Sequence, residues 1–514
     1  MRFDKATLVR GVSILALVAG TAFLGACGGS SSSGSGGGTT ITLSASATAV
    51  NPGQSTTVTA VVSDGKGVTW TLSPASGLGT LSSQTSTAVN YTAPATNATG
   101  AFATITATSV GSPTVTASGE ITVQGSNVVP LTVDLGPVPT QVPATNTFFT
   151  SVTLCVPGTT TCQTVDHIEV DTGSEGLRVL ASAIPGLALP QLTDGSGNLF
   201  NNCVQFLDGS YLWGPVQQAD VTIGGEIAPQ TFIQVISSGA PTVPSSCSSN
   251  GSGTLENTQV SLLANGILGV GLEPTDCTQA GLNFCDGSTS SSVPAVYYTC
   301  PSSGCSTATG PTLLDVLDQV ANPVANLGPD GNGVLITLPA LSPTHQPTVS
   351  GSMILGIGSS GRTNNSLGAA TVFGVDTTDS FVTVFNSESL TSSFIDSGSN
   401  AYFFPSTLTV CAPPDNAFFC PSTVQHLSAS NQGAGGVGLN TVNFDVENAA
   451  TLFSNTTDSA FSTLGAPAGV ANNCLAGTGD CTFDWGAPFF YGKTVFTAID
   501  GQVTPAGAGP FWAY

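Results

Sequence analysis

The chain has 514 residues, which allows two to four domains. Thirty acidic residues face seven basic ones, for a net charge of −23. So few cations exclude nucleic-acid binding and docking of the protein surface itself onto an anionic membrane. With 62 Gly, 32 Pro and 40 % apolar residues, and with long amphipathic helical stretches hard to find, the composition predicts an all-β protein rich in turns.

Residues 1–26 read as a targeting segment. Arg2, Lys5 and Arg10 form a basic start, and the run from Gly11 to Ala26 is apolar or small and too short for an ordinary membrane span. Leu24-Gly25-Ala26-Cys27 resembles the bacterial lipobox, which implies cleavage before Cys27 and lipidation of that cysteine. A Gly/Ser tether follows over residues 27–40, the flexible spacer that a lipid-anchored domain needs. The expected location is the bacterial cell envelope, on the outer membrane, periplasmic or surface-exposed.

Twelve further cysteines remain, an even number in an exported chain, so disulfides are the default. Spacing suggests Cys155 with Cys162, Cys277 with Cys285, Cys300 with Cys305, Cys411 with Cys420, and Cys474 with Cys481. Cys203 and Cys247 are left to pair. None has zinc-type spacing with histidine, so neither a metal nor a cofactor is expected.

Residues 41–125 alternate with period two, as in Ser55 to Val62 and Ala103 to Thr108, and turn signals such as Asp64-Gly65 separate the runs. Short strands at this spacing predict a β-sandwich. Val68-Thr69-Trp70, Tyr91-Thr92-Ala93-Pro94 and Ile121-Thr122-Val123 resemble the bacterial Ig-like domains of envelope proteins, which implies a spacer or binding module. A Pro-containing stretch over 126–145 reads as a linker.

The remaining residues carry an internal repeat. His167-Ile168-Glu169-Val170 alternates like a strand and runs into Asp171-Thr172-Gly173-Ser174. Ser393-Phe394-Ile395 runs into Asp396-Ser397-Gly398-Ser399. An apolar stretch follows each turn, from Leu177 in one and Tyr402 in the other. Each half then has an apolar strand ending in glycine, 98 residues from Asp171 to Gly269 and 90 from Asp396 to Gly486. Duplication is the simplest explanation.

These residue types suit one chemistry. Glycines 173 and 398 let the backbone turn sharply and expose the carboxylate. The hydroxyls of Thr172, Ser174, Ser397 and Ser399 can donate to backbone and carboxylate. Two such half-sites face to face bring two carboxylates together, and like charges that close share one proton. The ionised member acts as general base on water while the protonated one donates to a carbonyl oxygen. Other chemistries lack their residues. His167, His345 and His426 lie far apart, no His-Glu-x-x-His is present, and no serine has a nucleophile-elbow context. His167 is read as structural.

The two turns, with Leu177 and Val179 after the first, resemble the active-site segments of pepsin-like aspartic proteases. Asn265 to Gly271 resembles the segment beneath the first aspartate, Gly351 to Gly356 the start of the second lobe, and Trp485 to Phe490 the C-terminal segment. The resemblance implies a two-lobed double β-barrel, with lobes over 146–320 and 321–514. It makes Asp171 and Asp396 the catalytic pair, has Thr172 and Ser397 lock the turns together, and has Ser174 and Ser399 orient the carboxylates. The family's hairpin over the cleft corresponds to Cys203 to Gly225, with a turn at Asp208-Gly209; Phe206, Tyr211 or Trp213 would stand in for its tyrosine. Asn265 stands where the family has aspartate. Arg178 stands where it has tryptophan, either as a cation beside the aspartates or paired with Glu175 or Glu169. The whole is also similar to a group of bacterial lipoproteins whose function is not established. The expected function is an envelope-anchored, monomeric endopeptidase acting on peptide or protein substrates. The alternative is a catalytically silent relative serving as a binding or adhesion module.

Overall fold

The computed structural model describes residues 38–50, 53–94, 102–123, 125–206, 209–237, 241–248, 251–285, 296–308, 318–359, 361–468 and 482–514. The expected targeting segment, Cys27, most of the tether, Asp208, Cys474 and Cys481 lie outside these residues. Two compact units divide the chain, one ending at Val123 and one beginning at Gln124.

The first unit is two four-stranded sheets. One runs in the order Ile41–Ala45, Ser55–Val62, Ala88–Thr92, Thr80–Ser82; the other runs Ala49–Val50, Thr116–Val123, Phe102–Ser109, Val68–Ser73. Alternation decides which side chains go in: along Ser55–Val62 every second residue is buried and the rest face solvent. Trp70 and Tyr91 fill the shared core. Their polar tips are satisfied by the carbonyls of Thr85 at 2.9 Å and Leu78 at 2.8 Å.

The second unit is all-β and two-lobed, as the sequence led us to expect, with barrel-like sheets. The stretch at 126–145, expected as a linker, is not one throughout. Within it Val128–Val133 is a strand hydrogen-bonded on both edges, to Phe148–Cys155 of the first lobe and Val349–Leu355 of the second. Val129, Leu131 and Val133 point into the core, an alternation present in the sequence but overshadowed by Pro130 and the turn residues around it. The sheet continues through Gly333–Thr337, Thr494–Ala498, Phe511–Ala513 and Val372–Gly374, so one ladder joins both lobes.

The second lobe adds a seven-stranded sheet over Leu439–Val446, Gln425–Gln432, Phe381–Phe385, Glu388–Ile395, Asp484–Trp485, Tyr402–Phe404 and Gly465–Pro467. Aromatic rings knit it together. Phe483 stacks on Trp485 at 4.1 Å and on Phe404 at 5.2 Å, with Phe444 edge-on to all three.

Five disulfides form among the described residues: Cys155–Cys162, Cys203–Cys247, Cys277–Cys285, Cys300–Cys305 and Cys411–Cys420. They mark a chain that matures in an oxidising, extracytoplasmic compartment. Among the described residues no helix is long and apolar enough to cross a membrane.

Candidate active site

Two half-sites are built by the same strand arrangement. In the first, Cys162–Asp171 runs parallel to Gly266–Val270, placing Asp171 opposite Gly269. Glu175–Leu180 then returns antiparallel along the other edge of that strand and lies parallel to Glu226–Ile236. In the second, Glu388–Ile395 runs parallel to Asp484–Trp485. Tyr402–Phe404 returns antiparallel to that pair and lies parallel to Gly465–Pro467. The repeat read from spacing is therefore a repeat of topology. Its glycines are needed for close approach: a Cβ on Gly269 would sit 2.7 Å from the carbonyl oxygen of Ser174, and one on Gly486 2.5 Å from that of Ser399.

The turns interlock across the lobes. The Thr172 amide donates to Ser397 Oγ at 3.0 Å, and the Ser397 amide donates to Thr172 Oγ1 at 2.9 Å. Each hydroxyl then donates onward to the opposite strand, Thr172 to the carbonyl of Ile395 at 3.0 Å and Ser397 to that of Val170 at 2.7 Å. All four bonds are buried. Thr172→Val keeps the shape but orphans a buried amide and a buried carbonyl. It is expected to cost about 1–3 kcal/mol, read as a shift in denaturation midpoint. A cost near zero would mean that the interlock holds nothing.

This crossing sets the aspartates against each other. The Asp171 carboxylate accepts from the Gly173 amide at 2.8 Å and from the Ser174 hydroxyl. That of Asp396 accepts from the Gly398 amide at 2.7 Å and the Ser399 hydroxyl at 2.9 Å. No side chain fits between the halves. A Cβ on Gly173 would fall 2.5 Å from Asp396 Cγ, and one on Gly398 would fall 2.6 Å from Asp171 Oδ1. Burial, the charge of Asp171 and then that of Asp484 push Asp396 well above the ordinary carboxylate range, and the Ser399 hydroxyl pulls it back. Like charges set this close favour a proton shared by the pair.

Arg178 is not a cation beside these carboxylates, and it pairs with neither Glu169 nor the Glu175 side chain. Its guanidinium is 2 % exposed and bridges to Asp276 at 2.9 Å, with a second bond to the Glu175 carbonyl. Asp276 also accepts from Asn202 at 2.9 Å and from the Tyr297 hydroxyl. A partner 98 residues away leaves no local signal, so sequence could offer only the aspartates or the nearby glutamates as alternatives. Glu175 turns instead toward the Glu273 amide. Asn265 donates to the backbone of Asp166 at 2.9 Å and accepts from Gln259 at 2.6 Å, tying down the segment beneath Asp171. His167 packs edge-on against Phe149, consistent with a structural residue.

The expected hairpin is formed by Leu199–Gln205 and Ser210–Ile223. Its tip is closed by bonds from the Phe206 amide to the Ser210 carbonyl and from the Gly209 amide to the Phe206 carbonyl. Tyr211 and Trp213 point to one face, into a small core with Cys203, Cys247 and Tyr298. Trp213 donates to the Pro241 carbonyl at 3.0 Å. Phe206 and Leu212 point the other way, into an apolar cluster with Phe149 and Ile267, the latter on the strand beneath Asp171. Of the three candidates, Phe206 is the one on that side.

A family model described as "Protein of unknown function (DUF3443)" matches residues 123–514. The chain belongs to that family. The matched region of this DUF3443 member contains every residue of the paired turns. No curated protein matches. Among solved structures, that titled "Crystal structure of aspartic proteinase from Irpex lacteus" is similar at a TM-score of 0.39 and 13 % identity, covering 75 % of this chain and 96 % of that one.

Sequence reasoning passed over one acidic residue near the DUF3443 turns. Asp484 lies at the underside of the second half-site, 6 % exposed, with Oδ1 lacking a hydrogen-bond partner among the described residues. Its signal was an acid inside the apolar run Phe483-Asp484-Trp485.

Proposed function

We propose that this protein is an aspartic-type endopeptidase that hydrolyses extended peptides with Asp171, Asp396 and an activated water. The observation that carries this reading is the meeting of two carboxylates, Asp171 buried and Asp396 half-buried, each held by its own glycine amide and serine hydroxyl, across a reciprocal Thr172–Ser397 lock. The ionised member of the pair takes a proton from water as the oxygen attacks the peptide carbonyl. The protonated member gives its proton to the carbonyl oxygen. Collapse of the tetrahedral diol then returns a proton to the leaving nitrogen, and neither metal nor covalent intermediate is required. Thr172, Gly173, Ser174, Ser397, Gly398 and Ser399 position the pair, and Phe206 belongs to the hairpin that would cover bound peptide.

We further place the protein in the bacterial envelope, anchored by lipid at Cys27, with the Ig-like sandwich as spacer and the chain as a monomer. The second reading, a binding or adhesion module without turnover, draws on the packing of Tyr211 and Trp213 away from the hairpin's other face.

The test is incubation of the mature chain with a denatured protein from about pH 3 to about pH 7, beside Asp171→Asn and Asp396→Asn. New termini that appear with the wild type and with neither variant support the peptidase. Cleavage by either variant at the wild-type rate rejects it, and no cleavage by any favours the binding module.

A further inference from the structure

The two turns correspond carbonyl by carbonyl, but not in what holds them. In the first, the Ser174 carbonyl accepts from the Gly271 amide at 2.9 Å; in the second, the Ser399 carbonyl accepts from the Ala487 amide at 2.7 Å. The next carbonyl of each turn, that of Glu175 or Asn400, is capped by the N–H of a buried side chain. Arg178 caps Glu175 from three residues further along the same strand. Asn146 caps Asn400 at 2.8 Å from 254 residues away, reaching from the first lobe into the second.

Asn146 is 1 % exposed, and its φ of +55° lies in the left-handed region that asparagine and glycine enter at least cost. An amide side chain offers two N–H bonds and two acceptor sites on its oxygen. All four are used here. Nδ2 donates to the carbonyls of Asn400 at 2.8 Å and Phe461 at 2.9 Å. Oδ1 accepts from the Phe461 amide at 2.7 Å and the Tyr491 hydroxyl at 2.9 Å. With Phe461 the side chain exchanges a donor and an acceptor, as a neighbouring strand would. Its own backbone amide donates to the Ser459 carbonyl at 2.7 Å. Tyr491 directly follows Ala487–Phe490, the segment whose first amide holds Ser399. In the other direction Asn146 leads into Phe148–Cys155, which pairs with the strand ending at Asp171. One side chain thus connects the frame of Asp171 to the residue just after the Asp396 turn.

We propose that Asn146 is a positioning residue for the aspartate pair, a cross-lobe tether that fixes the second turn, and with it Asp396, relative to Asp171. The Thr172–Ser397 lock joins the turns at the residues after the aspartates, and the Asn400 cap holds the second turn where the chain leaves it. The proposal rests on the peptidase reading for its kinetic consequence but not for the tether itself.

Asn146→Asp and Asn146→Gly in the full chain test it, and both tolerate the left-handed backbone. Aspartate keeps an oxygen for Phe461 and Tyr491 but loses the N–H on Asn400. Glycine loses all four bonds and leaves room for water on the freed carbonyls, which protects against simple misfolding. Tyr491→Phe is the comparison, because it removes a bond of the same network and leaves the cap in place. In both Asn146 variants kcat is expected to fall about 10- to 100-fold with KM within about twofold, since misplaced reacting groups slow the chemical step. Tyr491→Phe is expected to lower Tm and keep kcat. A structural role alone would lower Tm in all three and leave kcat of the folded protein in place. The second readout needs no activity: amide hydrogen exchange is expected to rise over residues 396–404 in the Asn146 variants and to stay at the wild-type level over 171–177. Wild-type kcat and exchange in both variants, exchange raised equally over both stretches, or an equal loss of kcat in Tyr491→Phe overturn the proposal. An inactive wild type with exchange raised over 396–404 alone rejects the peptidase and leaves the tether standing.

Discussion

Asp396→Asn is expected to reduce peptide hydrolysis by about 10²–10⁴-fold while making the protein more stable at neutral and alkaline pH. The kinetic half follows from proton sharing. An amide has no acidic proton to give the carbonyl oxygen, and it relieves Asp171 of its like-charged neighbour. The stability half follows from linkage. The folded state raises the pKa of Asp396 above its unfolded value, so its contribution is fully present below the unfolded pKa and is lost as pH rises through the folded one. Asparagine removes that loss and keeps an acceptor for Ser399 or Gly398. Thermal unfolding across the pH range and kcat/KM together check this. A variant both inactive and less stable at high pH would indicate a collapsed turn instead of a missing proton.

The second large effect lies away from the aspartates. Arg362→Met is expected to destabilise the protein by about 3–5 kcal/mol, because a buried cation leaves and its carboxylates stay. The guanidinium is 2 % exposed and serves two acids, Asp330 and Glu226. It donates through Nε to Asp330 at 2.9 Å and through Nη1 to the Gly125 carbonyl at 2.8 Å. Glu226 begins a first-lobe strand, while Asp330 and Arg362 flank second-lobe strands, so the cluster pins one lobe to the other. Burial, and then the Asp330 charge, push Glu226 up to about 7. Its contribution is therefore present in acid and lost as pH rises through about 7. The Arg362→Met penalty should be smallest near pH 5 and largest above pH 8, where Glu226 ionises without its cation. Denaturant midpoints at the two pH values check the trend, and an equal penalty at both would show that Glu226 does not titrate in this range.

Local chemistry made the paired turns legible in the sequence. Asp-Thr-Gly-Ser and Asp-Ser-Gly-Ser combine an acid, a sharp turn and hydroxyl donors within four residues, and period-two alternation announced the strands that carry them. Five disulfides were legible because four close short loops and Cys203 and Cys247 were what remained. The missed features share a different character. Arg178 finds Asp276 and Arg362 finds Glu226 only after the chain has folded back over many tens of residues. Nothing in the flanking residues of any of them encodes the partner. Tyr211 and Trp213 were legible as hairpin aromatics, but the side they face follows from register, which a one-residue shift inverts.

The strand Val128–Val133 that joins the lobes has one more consequence. Its partner Ile354 lies more than two hundred residues further along the chain, and the ladder is finished by strands ending at Ala513. Pairings this distant are the slow kind to form, because a long loop must close before any contact compensates for it. The central sheet therefore stays incomplete until the Phe511–Ala513 strand is in place, however early its first strand is made.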